Sequence, residues 1–409
     1  MRQAYRILPV YTGDVSGVCS ALYELGGMTV MHDPSGCNST YNTHDETRWY
    51  DRDSLIFLSG LCEPDAIMGN DEKFIDDVVG AAQLYAPKFI ALCNSPIPYL
   101  NGTDFTGIST VIEQRTGIPA FYIPTNGMHD YVGGAGPAFE NLAHKLFDGE
   151  SVPPLQGRLR RSVNILGMTP LDFAADGCTA SLKSMLNEAG WEVCSSWAMD
   201  CTLEELRRAP EASVNLAVSS AGMRTARYLR EKFGTPWVAG IPVGRFADLL
   251  IKALDEAVRK DVCGCAYKAD DRHGGFGIGY GSEEAERTAQ NSAPVILIGE
   301  PVVSCSIAEA LEAEGRRTYV IAATEESAAL VRGQDLTVSG EEETENAVSE
   351  LLAPGAAIIA DPLYQYVCPD RARFIPVPHL AFSGRLYRSR FRNPFEETFM
   401  DRLVSLTGE

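Results

Sequence analysis

Three cysteines in the N-terminal part of the chain lie where a metal site could form. Cys37 follows a Pro-x-Gly turn, Cys62 lies at another junction between a predicted strand and a helix, and Cys93 ends the apolar run KFIALC. In a parallel sheet such positions fall on one edge, so the three thiols could share a ligand. Thiolates bind iron–sulfur clusters and zinc, but a structural core cysteine or a nucleophile is also compatible with Cys37 at this stage.

The composition bounds the possible functions. The chain has 11 cysteines, an odd number that does not indicate a disulfide framework. The net charge of −20 disfavours binding to nucleic acid, whose phosphates are also negative. No apolar run reaches 18 residues and the N-terminus shows no convincing secretory signal, so we expect a cytoplasmic protein without a membrane span.

Two other motifs carry little functional weight. The glycine-rich stretch GFGIGYG (275–281) follows no clear strand, and an interdomain loop is a better interpretation of it than a phosphate cradle. The CGC sequence at 263–265 has no second cysteine pair nearby, which favours a structural role over metal binding. The chain also lacks the Walker A pattern, so we expect no ATP hydrolysis through a P-loop.

Strand and helix patterns alternate along the whole chain. Short apolar runs such as KFIALC (88–93), VNILGM (163–168) and PVILIG (294–299) alternate with segments of helical periodicity such as 71–85. A basic, proline-containing linker at 151–162 and a glycine-rich break at 273–286 divide this pattern in three. We therefore predict an α/β protein of three Rossmann-like domains with parallel sheets flanked by helices. The predicted domains are 1–155, 156–285, and 286–409 with a C-terminal helix.

Several segments, in order along most of the chain, resemble the nitrogenase component 1 superfamily. HDPSGC (32–37) is similar to the family's His-Gly-Pro-x-Gly-Cys, and the segments 61–78 and 93–108 resemble the two that follow it. Three later segments resemble the second domain of the family: VNILGM (163–168), the stretch from WAMD to NLAV, and YLREKFGTPW (228–237). The family includes nitrogenase molybdenum–iron protein subunits, their cofactor-assembly homologues and the dark-operative reductases of tetrapyrrole synthesis.

The resemblance implies that Cys37 ligates an iron–sulfur cluster at a subunit interface. The family's first cluster cysteine would fall near residues 11–14, where none is present, and Cys19 lies a few residues later. The third aligns with Ser95, and Cys93 lies two residues before it. The resemblance therefore implies a rearranged ligand set of Cys37, Cys62 and Cys93, with Cys19 as a further candidate.

An oxygen ligand from Asp14 or Asp33 could complete this set. The family's cofactor-binding cysteine maps near Val218, so we expect no iron–molybdenum cofactor. The family's cofactor-binding histidine corresponds to the region PVPHLAFSG (376–384), which makes His379 a candidate cofactor ligand. A structural role is the alternative for a lone histidine.

The function implied by the resemblance is low-potential reduction. The chain would form a homodimer, or a heterodimer with a related component 1 chain, around an oxygen-sensitive 4Fe–4S-type cluster. An ATP-dependent iron–sulfur reductase would pass electrons to that cluster, and the cluster to a bound substrate or metallocofactor. Two alternatives stay open: a non-catalytic scaffold for metal-cluster or tetrapyrrole assembly, and a binding protein that has lost the cluster.

Overall fold

The computed structural model describes residues 5–34, 36, 46–149, 161–268, 276 and 292–408. Three features of the sequence lie outside these residues: Cys37, most of the predicted linker at 151–162, and GFGIGYG apart from Phe276. No helix in the described ranges is long and apolar enough to cross a membrane.

The N-terminal part of the chain forms a sheet of four parallel strands in the order β2-β1-β3-β4. Its strands are β1 (Met28–His32), β2 (Leu55–Leu58), β3 (Ile90–Asn94) and β4 (Ala120–Tyr122). The helices of this part are α1 (Asp14–Leu22), α2 (Glu63–Met68), α3 (Asp71–Tyr85), α4 (Pro96–Asn101), α5 (Phe105–Thr116) and α6 (Val132–Phe147). Every residue of β1 and β3 is buried, as expected for central parallel strands covered on both faces.

The middle part forms a second parallel sheet, in the order β6-β5-β7-β8-β9. Its strands are β5 (Ser162–Met168), β6 (Glu192–Ala198), β7 (Val214–Ala217), β8 (Trp237–Ala239) and β9 (Gly264–Cys265). The helices are α7 (Cys178–Glu188), α8 (Leu203–Leu206), α9 (Met223–Phe233) and α10 (Phe246–Lys260).

The C-terminal part forms a third parallel sheet, in the order β12-β11-β10-β13-β14. Its strands are β10 (Pro294–Gly299), β11 (Arg317–Ala322), β12 (Leu336–Thr337), β13 (Ala357–Ala360) and β14 (Arg373–Pro376). The helices are α11 (Pro301–Glu312), α12 (Glu341–Leu351), α13 (Leu380–Ser383) and α14 (Glu397–Gly408). Three parallel sheets flanked by helices confirm the predicted fold class. The predicted domain boundaries stay predictions, since 155 and 285 both fall outside the described residues.

Helices α1 and α6 pack closely enough for their backbones to touch. A Cβ atom on Gly134 of α6 would lie 1.8 Å from the carbonyl oxygen of Asp14, and one on Gly17 of α1 would lie 2.2 Å from that of Tyr131. Only glycine allows this approach, because any side chain would overlap backbone atoms. The contact positions Tyr131, which precedes α6 directly and enters one of the sites described below.

Candidate functional site

The carboxyl edge of the N-terminal sheet carries a connected set of polar side chains. His32 ends β1, and its Nδ1 lies 2.8 Å from the hydroxyl oxygen of Ser59, which also accepts the Asp33 N–H at 3.1 Å. The N–H of Asn94, at the end of β3, donates to Thr125 Oγ1 at 2.9 Å. These bonds join the loops that follow the strands, as expected where a parallel sheet forms a binding edge.

Two buried oxygen atoms at this edge lack a hydrogen-bond partner among the described residues. They are Oδ2 of Asp33, a residue 4% exposed, and Oγ of Ser95, a residue 3% exposed. A buried polar atom without a partner is costly, and an ion or another bound group is a common explanation. Both atoms therefore fit an edge that holds a further polar or charged group.

The carboxylate of Asp14 is occupied by backbone donors. It accepts the N–H groups of Val15 at 2.7 Å, Asn126 at 2.9 Å and Gly127 at 3.0 Å. Burial nevertheless raises the pKa of Asp14, and these three backbone bonds oppose that shift. Of the two carboxylates predicted as oxygen ligands, Asp33 is therefore the one with an open acceptor atom.

Cys62 is exposed and lies directly before α2, which begins at Glu63. Its thiol donates to Asp65 Oδ2 at 2.9 Å, and Lys73 Nζ lies 3.3 Å from the same oxygen. Cys37 lies outside the described residues, four positions after Asp33 in the sequence. Cys37 therefore stays a predicted ligand.

Cys19 and Cys93 lie together inside the core, on α1 and β3. Both are fully buried, and a hydrogen bond with Cys19, together with burial, raises the pKa of Cys93 well above its ordinary value. The Cys93 thiol also donates to the carbonyl of Val30 at 3.7 Å. Within the described ranges, no group of three or more His, Cys, Asp or Glu side chains is arranged to hold a metal ion. The structure thus pairs Cys19 with Cys93 and leaves Cys62 at the surface.

A second polar site brings together side chains from all three predicted domains. His379 follows β14, and its Nε2 lies 3.1 Å from Oδ1 of Asp172, which follows β5. The hydroxyl of Tyr131 donates to the same carboxylate oxygen, and the backbone N–H of His379 donates to Asp361 Oδ2 at 2.8 Å. One carboxylate therefore holds the imidazole and a second holds the backbone of the same residue.

The electrostatics of this site depend on Asp172. Burial by itself would lower the pKa of His379, but the hydrogen bond and charge of Asp172 outweigh burial and raise it. Burial and the charge of Asp172 also raise the pKa of Glu300 to about 7. The carboxylate of Glu300 accepts the N–H of Val303 at the start of α11 and that of Ser220, both at 2.8 Å.

Aromatic rings surround His379. The ring of Tyr11 lies 5.8 Å from the imidazole, that of Tyr131 lies 6.1 Å away, and Phe382 packs on Tyr11 at 4.8 Å. Nδ1 of His379 is buried and has no hydrogen-bond partner among the described residues. A histidine with one nitrogen held by a carboxylate and the other free is the usual arrangement of a metal-binding histidine. The imidazole is thus arranged to bind a metal or an acidic group, with a hydrophobic wall beside it.

Sequence reasoning singled out His379 but missed Asp172, Tyr131 and Glu300. Asp172 lies in the loop TPLDFAADG after a predicted strand, a position at which ligands often bind in parallel sheets. That position was a usable signal for Asp172. Tyr131 and Glu300 have no comparable local signal, since only tertiary packing brings them to the same carboxylate.

Comparison with known proteins identifies the family. The family model described as nitrogenase component 1 type oxidoreductase matches residues 25–353, so the chain belongs to this family. A solved structure described as nitrogenase Cp1 at pH 5 superposes with a TM-score of 0.64 at 13% identity and covers 100% of this chain and 90% of that one. At this identity the superposition supports the fold alone.

Curated relatives are similar over part of their length. The nitrogenase molybdenum-iron protein alpha chain of Azospirillum brasilense is 27% identical over 221 residues, which are 51% of this chain and 45% of the relative. The iron-molybdenum cofactor biosynthesis protein NifE of Klebsiella pneumoniae is 25% identical over 242 residues, 56% of this chain and 51% of the relative. A subunit of the light-independent protochlorophyllide reductase of Prosthecochloris aestuarii is 38% identical over 84 residues, 20% of this chain and 16% of the relative. The first two matches each span about half of the relative.

Proposed function

We propose that this chain is a subunit of a nitrogenase-like component 1 protein, with an iron–sulfur cluster at the carboxyl edge of the N-terminal sheet. The observation that carries the proposal is the pair of buried, unpartnered oxygens of Asp33 and Ser95 at the edge that the Cys37 segment follows in the sequence. The resemblance of the sequence to the family also implies that Ser95 stands where the family has a cluster cysteine. A 4Fe–4S-type cluster would supply single electrons at low potential.

The protein ligands proposed for this cluster are chiefly residues of the edge. Cys37 and the exposed thiol of Cys62 would supply sulfur, and Asp33 or Ser95 would supply oxygen. Cys93 and Cys19 stay in the predicted set. Ligation by either would require a movement out of the core, and burial raises the pKa of Cys93, which opposes the loss of its thiol proton.

A partner chain is proposed to cover this edge. Three apolar side chains on the short helices α2 and α4 are strongly exposed: Ile67 at 73%, Met68 at 79% and Leu100 at 76%. The side-chain amide of Asn101 donates to the Ala66 carbonyl at 3.1 Å and joins the two helices into one surface. A contiguous exposed apolar surface is typical of a subunit interface. It supports a homodimer, or a heterodimer with a related component 1 chain, whose partner would also contribute cluster ligands.

The site around His379 is proposed to hold the electron acceptor, which is a substrate or a metallocofactor. Asp172 holds the imidazole, the rings of Tyr131 and Tyr11 lie beside it, and the buried, unpartnered Nδ1 would bind the acceptor. The family's cofactor cysteine position falls near Val218, which is fully buried and offers no thiol. We therefore propose an acceptor other than the iron–molybdenum cofactor, reduced with electrons from an ATP-dependent iron–sulfur reductase.

Anaerobic iron and sulfide content tests the cluster. The protein would be purified without oxygen in wild-type form and as Cys37→Ser, Cys62→Ser and Cys93→Ser. The control is Cys263→Ser, which changes a partly exposed cysteine directly before β9. We expect iron, sulfide and absorption near 400 nm in the wild type and the control, and a strong loss of all three in Cys37→Ser. Full cluster occupancy in Cys37→Ser would overturn the proposed ligand, and a wild-type protein without iron would overturn the cluster itself.

A non-catalytic scaffold for cofactor assembly is the second candidate. The similarity to a cofactor biosynthesis protein, which is comparable in extent to that with the nitrogenase alpha chain, favours it. The assay is turnover by the purified complex with a matching reductase and ATP. Repeated reduction of an acceptor supports an enzyme, whereas transfer of a bound cofactor to another protein without turnover supports a scaffold.

A further inference from the structure

A cavity of about 230 Å³ lies between the end of β14 and the C-terminal helix α14. Ile375 and Val377 form one apolar wall, and Phe399 and Leu403 form the other. The volume corresponds to about eight water molecules of the liquid and lies below the ~300–1,000 Å³ of sites for drug-sized ligands. The cavity is therefore too small for a tetrapyrrole and suits a compact organic molecule.

Three arginines line the same cavity: Arg390, Arg392 and Arg402. We call it the arginine cavity. Among the lining residues that the structure describes, Glu396 is the only acidic one, and no carboxylate oxygen of the described ranges lies within 4.0 Å of any of the three guanidinium groups. The described lining thus carries a net charge of +2 in a chain whose net charge is −20. Local charge of the opposite sign to the whole protein attracts an anion to this place.

Two of these arginines are held in place without being neutralised. The guanidinium of Arg390 lies 5.5 Å from the ring centroid of Tyr387, and Arg392 donates to the carbonyls of Ser389 at 3.4 Å and Phe391 at 3.1 Å. A guanidinium group has five N–H donors, so most of them stay available. A planar carboxylate can accept two of them at once from a single arginine.

We propose that the arginine cavity binds a small carboxylate with a hydrocarbon or aromatic body. The body would fill the space between the two apolar walls, and the carboxylate would accept hydrogen bonds from the arginines. A bare inorganic anion would leave the apolar walls unfilled, and a neutral molecule would leave the charge unmatched. The site is separate from the one around His379, which does not line the cavity, although Val377 and Pro378 of the wall lead directly to that residue.

Isothermal titration of the purified protein with benzoate tests this proposal. Benzamide has the same shape without the charge, and inorganic phosphate has charge without an apolar body. The variant Arg402→Gln removes one guanidinium from an exposed position of α14. Arg227→Gln is the matched control, because Arg227 is exposed, has no ion pair among the described residues and lines a different cavity.

We expect benzoate to bind at one site per chain and about tenfold more weakly to Arg402→Gln, since a charge-assisted hydrogen bond would be lost. Arg227→Gln should bind as the wild type does. Absent binding, or equal binding by Arg402→Gln, would overturn the proposal. Equal affinity for benzamide or for phosphate would overturn the assigned ligand class. Cys37→Ser should bind benzoate normally, which keeps this result independent of the cluster.

Discussion

Replacing Gly134 with alanine should destabilise the packing of α1 on α6. The added Cβ would lie 1.8 Å from the Asp14 carbonyl oxygen, about 1.6 Å short of the 3.4 Å at which contact becomes ordinary. The atoms it meets are backbone atoms, so no side chain can rotate away and the helices must separate. Overpacking of this kind lowers the free energy of unfolding by about 1–3 kcal/mol or more, and the higher helix propensity of alanine offsets at most about 1 kcal/mol of that loss.

We expect Gly134→Ala to lower the melting temperature by about 4–8 °C, from a net loss of roughly 2 kcal/mol in a domain of this size. Gly80→Ala is the matched control, since Gly80 lies on the exposed face of α3 and its added Cβ would meet nothing within 4 Å. That variant should gain about 0.5–1 kcal/mol and melt higher. Differential scanning calorimetry measures both. A Gly134→Ala protein as stable as the wild type would refute the close approach of the two helices.

Three further predictions concern buried charges. Asp172→Asn should lower the pKa of His379, which NMR titration of the imidazole measures. An unchanged pKa would contradict the contact between His379 and Asp172. A raised histidine pKa stabilises the fold at low pH and loses this effect as pH rises through the folded-state pKa, so the stability deficit of this variant should be largest in acid. Arg332→Met should cost about 3–5 kcal/mol of unfolding free energy, because the fully buried side chain of Asp335 would lose its partner. The double variant Arg332→Met/Asp335→Leu should recover part of this loss of unfolding free energy in denaturant titrations. A double variant as unstable as Arg332→Met would count against a buried ion pair. Glu300 keeps its proton up to about pH 7 in the fold but releases it from about 4.5 in the unfolded chain, so its contribution to stability falls as pH rises between these values. Glu300→Gln should remove that contribution, seen by comparing denaturation midpoints at pH 5 and pH 7.5; an identical pH dependence would contradict the raised pKa.

Most of the secondary structure followed from local patterns. The run KFIALC predicted a buried strand where β3 lies. A threonine followed three residues later by a glutamate has the spacing of a capping box, and Thr202 and Glu205 form one at the start of α8. The prolines and the glycine of the segment NSPIPYLNG predict a loop after KFIALC, but Pro96–Asn101 forms helix α4. Proline is tolerated in the first turn of a helix because its missing N–H has no intrahelical acceptor there. Composition alone therefore gave a wrong assignment at that point.

Some features of the candidate sites are visible in the sequence, and others depend on tertiary packing. His379, the cysteines and the alternating strands are visible in the sequence, since each depends on residue type, local periodicity or a family motif. Two other features depend on how separate segments pack. They are the pairing of Cys19 with Cys93 and the contacts of Asp172 with Tyr131 and His379. Burial and neighbouring charge, which raise the pKa values of Cys93 and Tyr131 and act on that of His379, are properties of the packed chain. The sequence by itself thus determined the class of fold and the residue types available for chemistry, whereas tertiary structure decided which of them meet and which remain open to a ligand.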